Sequence, residues 1–203
     1  SNPNLIGGTR TEFEVGIEMN LLGNRLGFDL TYYERSDKDQ PISIPVTGST
    51  GFSGLSINSG EASAEGLELT INATPIQTAD LTWDFSFNIA QNDRYVDYLA
   101  EGITRRQLDY MSWYALIMVE EVGEEWGTFI GRKRKRTDDG TLVLLPNGRP
   151  VWENQQNLGS ILPDFTGGLS TAFNYKGWDL ALGFDFQVGG KFSSTSNMFS
   201  YYS

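Results

Sequence analysis

Acid–base chemistry is the first use to weigh in a chain with 26 acidic residues, 15 basic residues, and neither histidine nor cysteine. Glu12, Glu14, Glu18, Asp29, Glu68, Asp84, Asp179 and Asp185 could in principle work in pairs, one carboxyl as acid and one as base. They are scattered over separate segments, however. The lack of histidine also removes the Ser–His and Cys–His nucleophile pairs and the commonest zinc ligand. No catalytic residue, metal-ligand set or cofactor site is therefore expected, and the chain reads as a non-enzyme. The net charge of −11 argues against nucleic acid as a partner, because a binder must neutralise phosphates.

Binding is the other chemistry available. Tyr95, Tyr98, Tyr110, Trp113, Tyr114, Trp126, Phe129 and Trp152 crowd into one long segment. Flat aromatic faces can stack on sugar rings or anchor a partner protein, and they can equally pack a loop onto itself. Tyr110, Trp113, Tyr114, Trp126 and Trp152 are the candidate ligand- or partner-binding residues. Arg132-Lys133-Arg134-Lys135-Arg136 could meet lipopolysaccharide phosphates or an acidic partner, or stand solvated in a loop. Asp138-Asp139-Gly140 lacks the remaining ligand spacing of an EF-hand and reads as a turn.

The elements that must position these residues have a period of two. Phe13, Val15, Ile17 and Met19 alternate with Glu12, Glu14, Gly16 and Glu18. Leu26, Phe28, Leu30 and Tyr32 alternate with Arg25, Gly27, Asp29 and Thr31. Leu67 to Ala73, Leu81 to Ile89, Phe165 to Tyr175 and Trp178 to Val188 repeat the pattern, and no apolar-face position is charged. Six strands in three hairpins are predicted, near 11–37, 62–91 and 164–188. The turns inside the hairpins are short, and the connections 38–61, 92–163 and 189–203 are long.

Two architectures accept such alternation: a soluble β-sandwich, and a membrane barrel with its apolar faces on lipid and its polar faces on the lumen. About 10 residues at roughly 3.4 Å, tilted about 45°, rise roughly 24 Å, near the height of a barrel's apolar band. Short turns alternating with long loops are the barrel pattern, the long loops being extracellular. Trp83, Tyr175 and Trp178 at the short-turn end, with Tyr32 and Phe186 at the other, fit headgroup girdles, although aromatics are also good strand formers. An all-β, antiparallel up-and-down transmembrane barrel segment is expected. A soluble adhesin or carbohydrate-binding sandwich is the alternative. No run approaches 18 apolar residues, so no membrane helix is expected. Nor do the first 20 residues show a signal peptide, which places any leader upstream.

Three stretches resemble the SusC/RagA family of TonB-dependent outer-membrane transporters: Thr11–Gln40 (TEFEVGIEMNLLGNRLGFDLTYYERSDKDQ), Asn58–Pro75 (NSGEASAEGLELTINATP) and Leu162–Lys191 (LPDFTGGLSTAFNYKGWDLALGFDFQVGGK). Ala64-Glu65 departs from the family's usual asparagine, and Ile6-Gly7-Gly8 from its usual lead-in. The resemblance implies about six strands of a plugged, 22-stranded barrel in the outer membrane of a Gram-negative bacterium. It further implies import of oligosaccharides or peptides, a SusD-like surface lipoprotein as partner, and a TonB complex acting through a plug domain absent from this chain. The lumen carboxylates would then hydrogen-bond the plug, hydrate the lumen and disfavour anionic cargo. Two open sheet edges are not viable in lipid, so further strands must complete the wall.

Overall fold

The computed structural model describes residues 3–52, 54–111 and 116–200. Six strands form one antiparallel sheet in the order β1 (Thr9–Leu21), β2 (Leu26–Pro45), β3 (Gly54–Gln77), β4 (Leu81–Tyr98), β9 (Pro163–Tyr175) and β10 (Trp178–Gly189). Between β4 and β9 the chain builds a second, four-stranded sheet from β5 (Arg105–Met111), β6 (Leu116–Glu121), β7 (Thr128–Arg134) and β8 (Trp152–Ser160). A short helix, α1 (Thr195–Ser200), follows β10. The expected hairpins are β1–β2, β3–β4 and β9–β10. The last is closed by Lys176 and Gly177, both at positive φ, as a two-residue hairpin turn requires.

Register decides what the alternation achieves. Met19, Phe28, Ile71, Phe87, Leu169 and Phe184 lie in one rung across all six strands. The adjacent rung on the opposite face holds Glu18, Asp29, Thr70, Asn88, Gly168 and Asp185. Six independent alternations thus add up to one apolar face and one polar face. A slip of one residue in any strand would exchange its faces. The apolar face packs only against itself. Trp83 stacks on Phe173 at 5.4 Å and Phe87 on Phe186 at 6.4 Å, and the Trp83 indole donates to Thr171 Oγ1 at 2.7 Å. The Phe186 ring lies over Gly167, where a Cβ would collide with it. Among the described residues no second sheet covers this face, and both edge strands, β1 and β10, are exposed along their whole length. Such a sheet is the wall of a barrel rather than half of a sandwich.

The apolar face has an upper limit. Beyond the rung of Val15, Tyr32, Leu67 and Gln91, the next outward rung keeps an apolar residue only at Phe13 on β1 and joins Glu34, Glu65 and Asp93 on β2, β3 and β4. Tyr32 Oη donates to Glu34 Oε1 at 2.6 Å across that boundary.

The long connections differ from irregular loops. Segment 38–61 is mostly strand: β2 and β3 stay paired out to Pro45 and Gly54, with register shifts at Asp37–Gln40 and Gln40–Pro41. Asp39 takes a positive φ of 55° there. The bulge hides this continuation from a period-two reading. Pro41 is tolerated because β1 stops pairing at Lys38, leaving that edge of β2 without a neighbour to supply. Segment 92–163 carries the end of β4 and the four-stranded sheet. In β7, Thr128, Phe129, Ile130 and Gly131 are all buried. Burial on both faces gives a continuous apolar run instead of an alternation.

Candidate functional site

The polar face changes character toward the end from which the long connections leave. Its lower rungs carry Glu14, Glu18, Asp29, Glu68, Asp84, Asp179 and Asp185 against one basic residue, Arg25, which donates to the carbonyls of Thr74 and Pro75. The rungs above hold Glu12, Arg35, Ala64 and Arg94, then Arg10, Asp37, Ala62 and Val96. Asp37 is 3% exposed and receives Arg10 Nε at 2.7 Å and Arg35 Nε at 3.4 Å. One buried carboxylate therefore holds two of the rim arginines.

Arg94 is held differently. The turn after β6 folds back on the top of β4 through backbone bonds from Val96 N to Glu124 O (3.1 Å), Gly123 N to Val96 O (2.8 Å) and Trp126 N to Arg94 O (2.9 Å). Gly123 and Gly127 have positive φ, 85° and 72°, where a side chain would be strained. The fold-back sets the Trp126 ring 5.5 Å from the Arg94 guanidinium carbon, within reach of a cation–π attraction. Trp126 Nε1 donates to Glu120 Oε1 at 2.8 Å, and Arg106 Nε donates to Glu120 Oε2 at 2.8 Å. Glu120 is thereby satisfied on both oxygens. Arg94 has no carboxylate within ion-pair distance among the described residues, and its buried Nε has no hydrogen-bond partner there. Such a donor ordinarily costs about 1–3 kcal/mol.

A cavity of about 190 Å³ opens beside this cluster, lined among others by Gln40, Glu61, Arg94, Tyr98, Arg106 and Trp126. At its back Ile42, Val96, Leu99 and Ala100 form a buried cluster on which Trp126, Ile44, Ile57 and Ile103 pack. A shallower trough of about 470 Å³ runs along the polar face near the short turns, past Asn20, Asn72, Ser86 and Ser170.

The aromatics singled out from the sequence are dispersed. Trp126 is part of the Arg94 cluster. Tyr110 is 53% exposed on β5, paired with Ile117. Trp152 begins β8 at 47% exposure, with the guanidinium carbons of Arg132 and Arg134 each 5.7 Å from its ring centre. Trp113 and Tyr114 lie outside the described residues. Phe129 is 8% exposed within the four-stranded sheet, so it packs rather than binds. Three of the five residues of the basic run, Arg132, Lys133 and Arg134, belong to β7, where Lys133 pairs with Glu153 and Arg134 with Trp152. Asp138-Asp139-Gly140 forms a tight turn, with Gly140 N bonded to Thr137 O at 2.8 Å. Asp139 accepts from Thr137 Oγ1 and from Thr141 N, and these bonds hold its carboxyl below the usual aspartate value.

The rim arginines were missed in sequence although a signal for them exists. Continuing the alternation outward from Glu12, Asp29 and Asn88 in steps of two reaches Arg10, Arg35 and Arg94.

An antiparallel sheet with one continuous apolar face and one polar face defines a barrel-wall protein, and the comparisons with known proteins give its family. The family model described as "TonB dependent receptor-like, beta-barrel" matches residues 1–203, and the chain belongs to that family. The chain is 27% identical to TonB-dependent receptor P3 of Formosa agariphila over 94% of this chain and 21% of that protein. It is 32% identical to TonB-dependent receptor SusC of Bacteroides thetaiotaomicron over 50% of this chain and 10% of that one. Among solved structures it superposes on the RagAB peptide importer in its closed-closed state with a TM-score of 0.71 at 22% identity, covering 93% of this chain and 22% of that one. The chain thus spans about a fifth of the length of its most extensively matched relatives. By name these proteins are receptors and importers, in line with the non-enzymatic reading.

Proposed function

We propose that this chain supplies part of the wall and extracellular loops of an outer-membrane, TonB-dependent importer of oligosaccharides or peptides in a Gram-negative bacterium, working with a SusD-like surface lipoprotein. The observation that carries the reading is the alignment of six apolar rows on one face, ending at the Glu34–Glu65–Asp93 rung. Lipid is the solvent that such a face suits, and a hydrated lumen suits the other. Family membership adds the energy source, since relatives carry TonB dependence in their names. The partner and the cargo class rest on the likeness to SusC and to RagAB, the latter titled a peptide importer. In this reading the long connections and the four-stranded sheet face outward, and Tyr110, Trp113, Tyr114, Trp126 and Trp152 are available to the lipoprotein or the cargo.

The test is made on the full-length protein in its host. It is expected in the outer-membrane fraction, to need detergent for extraction, and to run faster on a gel unboiled than boiled. Cargo uptake is expected to cease when TonB is deleted. Recovery in the aqueous fraction without detergent would favour the soluble-adhesin alternative and sink the importer.

A further inference from the structure

We infer that Arg94 is a binding residue for a carboxylate on the cargo, so that, contrary to the expectation from the acidic lumen below, the importer takes acidic oligosaccharides or acidic peptides through a subsite at the rim of its wall. The inference rests on the importer reading above.

Among the rim arginines, Arg94 is distinguished by what it lacks. Arg10 and Arg35 share the buried Asp37, and Arg106 is neutralised by Glu120. Arg94 has an aromatic neighbour in Trp126 and no carboxylate within ion-pair distance among the described residues. It also borders a cavity of about 190 Å³. That is room for several water-sized groups at about 30 Å³ each, enough for a carboxylate and the carbon that bears it. A planar guanidinium is matched by a carboxylate, which takes two parallel N–H donors. The other charged groups lining the cavity are Glu61, Arg106 and Glu120. The last two neutralise each other, and Glu61 lines the cavity without forming an ion pair with Arg94.

The wall below gives the subsite its meaning. From Glu14 to Asp179 the polar face carries carboxylates and a single basic residue, Arg25, whose guanidinium is engaged by the backbone carbonyls of Thr74 and Pro75, so an anion finds little attraction on this wall once past the rim. A carboxylated cargo would be retained at Arg94 by its acidic group while its neutral or cationic remainder lies toward the interior. Trp126 and Tyr98, both on the cavity, present surfaces for a sugar ring or a peptide side chain.

The shared chemistry is the carboxylate, and its source is a uronic acid or an acidic peptide. The experiment separates them with matched probes on the full-length transporter bound to its lipoprotein: trigalacturonate against its methyl ester, and an Ala-Ala-Glu peptide against its fully amidated form. Titration calorimetry is run on wild type, Arg94→Gln and Arg94→Lys, each checked for the unboiled gel shift of a folded barrel. Arg94→Gln is expected to weaken the acidic probe about ten- to a hundredfold, the worth of a charge-assisted hydrogen bond, and to leave the neutral probe unchanged. Arg94→Lys is expected to fall between. The probe pair that shows the split identifies the source. Equal loss for acidic and neutral probes would make Arg94 a structural residue and overturn the proposal. So would no loss with either, or wild type failing to bind an acidic probe. In those cases TonB-dependent uptake of a neutral probe would still uphold the importer reading, whereas absence of the protein from the outer membrane would defeat both.

Discussion

The two sheets of this chain solve the same problem in opposite ways. The six-stranded sheet buries almost none of its large apolar side chains within the chain: Phe13, Ile17, Leu180 and Phe184 are all more than half exposed. The four-stranded sheet does bury its own, with Val119 at 0%, Ile130 at 1% and Thr128 at 1% exposure. The first therefore depends on its surroundings, both neighbouring strands and lipid, and the second on its own packing. A period-two pattern marks a strand with two different solvents, and a continuous apolar run marks one with the same environment on both sides.

Substitution can set the two regions against each other. Ile130→Ala is expected to cost about 2–5 kcal/mol, because Ile130 is 1% exposed and its truncation opens a cavity within the four-stranded sheet. The readout is loss of amide-exchange protection in β6 to β8 of the full-length protein, with insertion and gel shift of the barrel unchanged. Loss of insertion instead would show that the two sheets are one folding unit. Next comes Leu69→Arg at the middle of the apolar face, expected to cost about 2–4 kcal/mol in lipid refolding. Thr70→Arg, one residue along and on the polar face, is expected to cost less than half as much. Equal costs would mean that both faces of this sheet meet the same medium.

The smallest effect concerns the arm beyond the four-stranded sheet. Hydrogen bonds from Thr137 and Thr141 lower the Asp139 carboxyl relative to an unstructured aspartate. Its contribution to the turn is therefore complete above about pH 4, the ordinary aspartate value, and fades as pH falls through the lowered one. Proteolysis at 137–141 by an acid-active protease should rise as pH falls below about 4. Asp139→Asn should flatten that dependence, and an unchanged slope would dissociate the carboxylate from the turn.

Much of the wall was legible because its chemistry repeats: every strand carries its own statement of which side meets lipid. The β2–β3 extension was less so, since the bulge at Asp37–Gln40 resets the parity and Pro41 resembles a strand breaker. In the four-stranded sheet, β7 was hidden by burial on both faces, and β5 and β8 by their polar sequences. At the candidate site Trp126 stood out as an aromatic, but its role beside Arg94 and Glu120 depends on a turn folding back over β4, which no local pattern announces. Arg94 was within reach of simple counting.

The outward rung of Glu34, Glu65 and Asp93 works as a draught mark on a hull. Successive outward rungs are two residues apart, about 5 Å of height at a 45° tilt. A wall riding one rung too deep would immerse three carboxylates in hydrocarbon. One riding too high would lift the Tyr32 and Leu67 row into water. Immersion depth is thus set by the wall itself, and with it the altitude at which Arg94 and the outer sheet meet whatever arrives from outside.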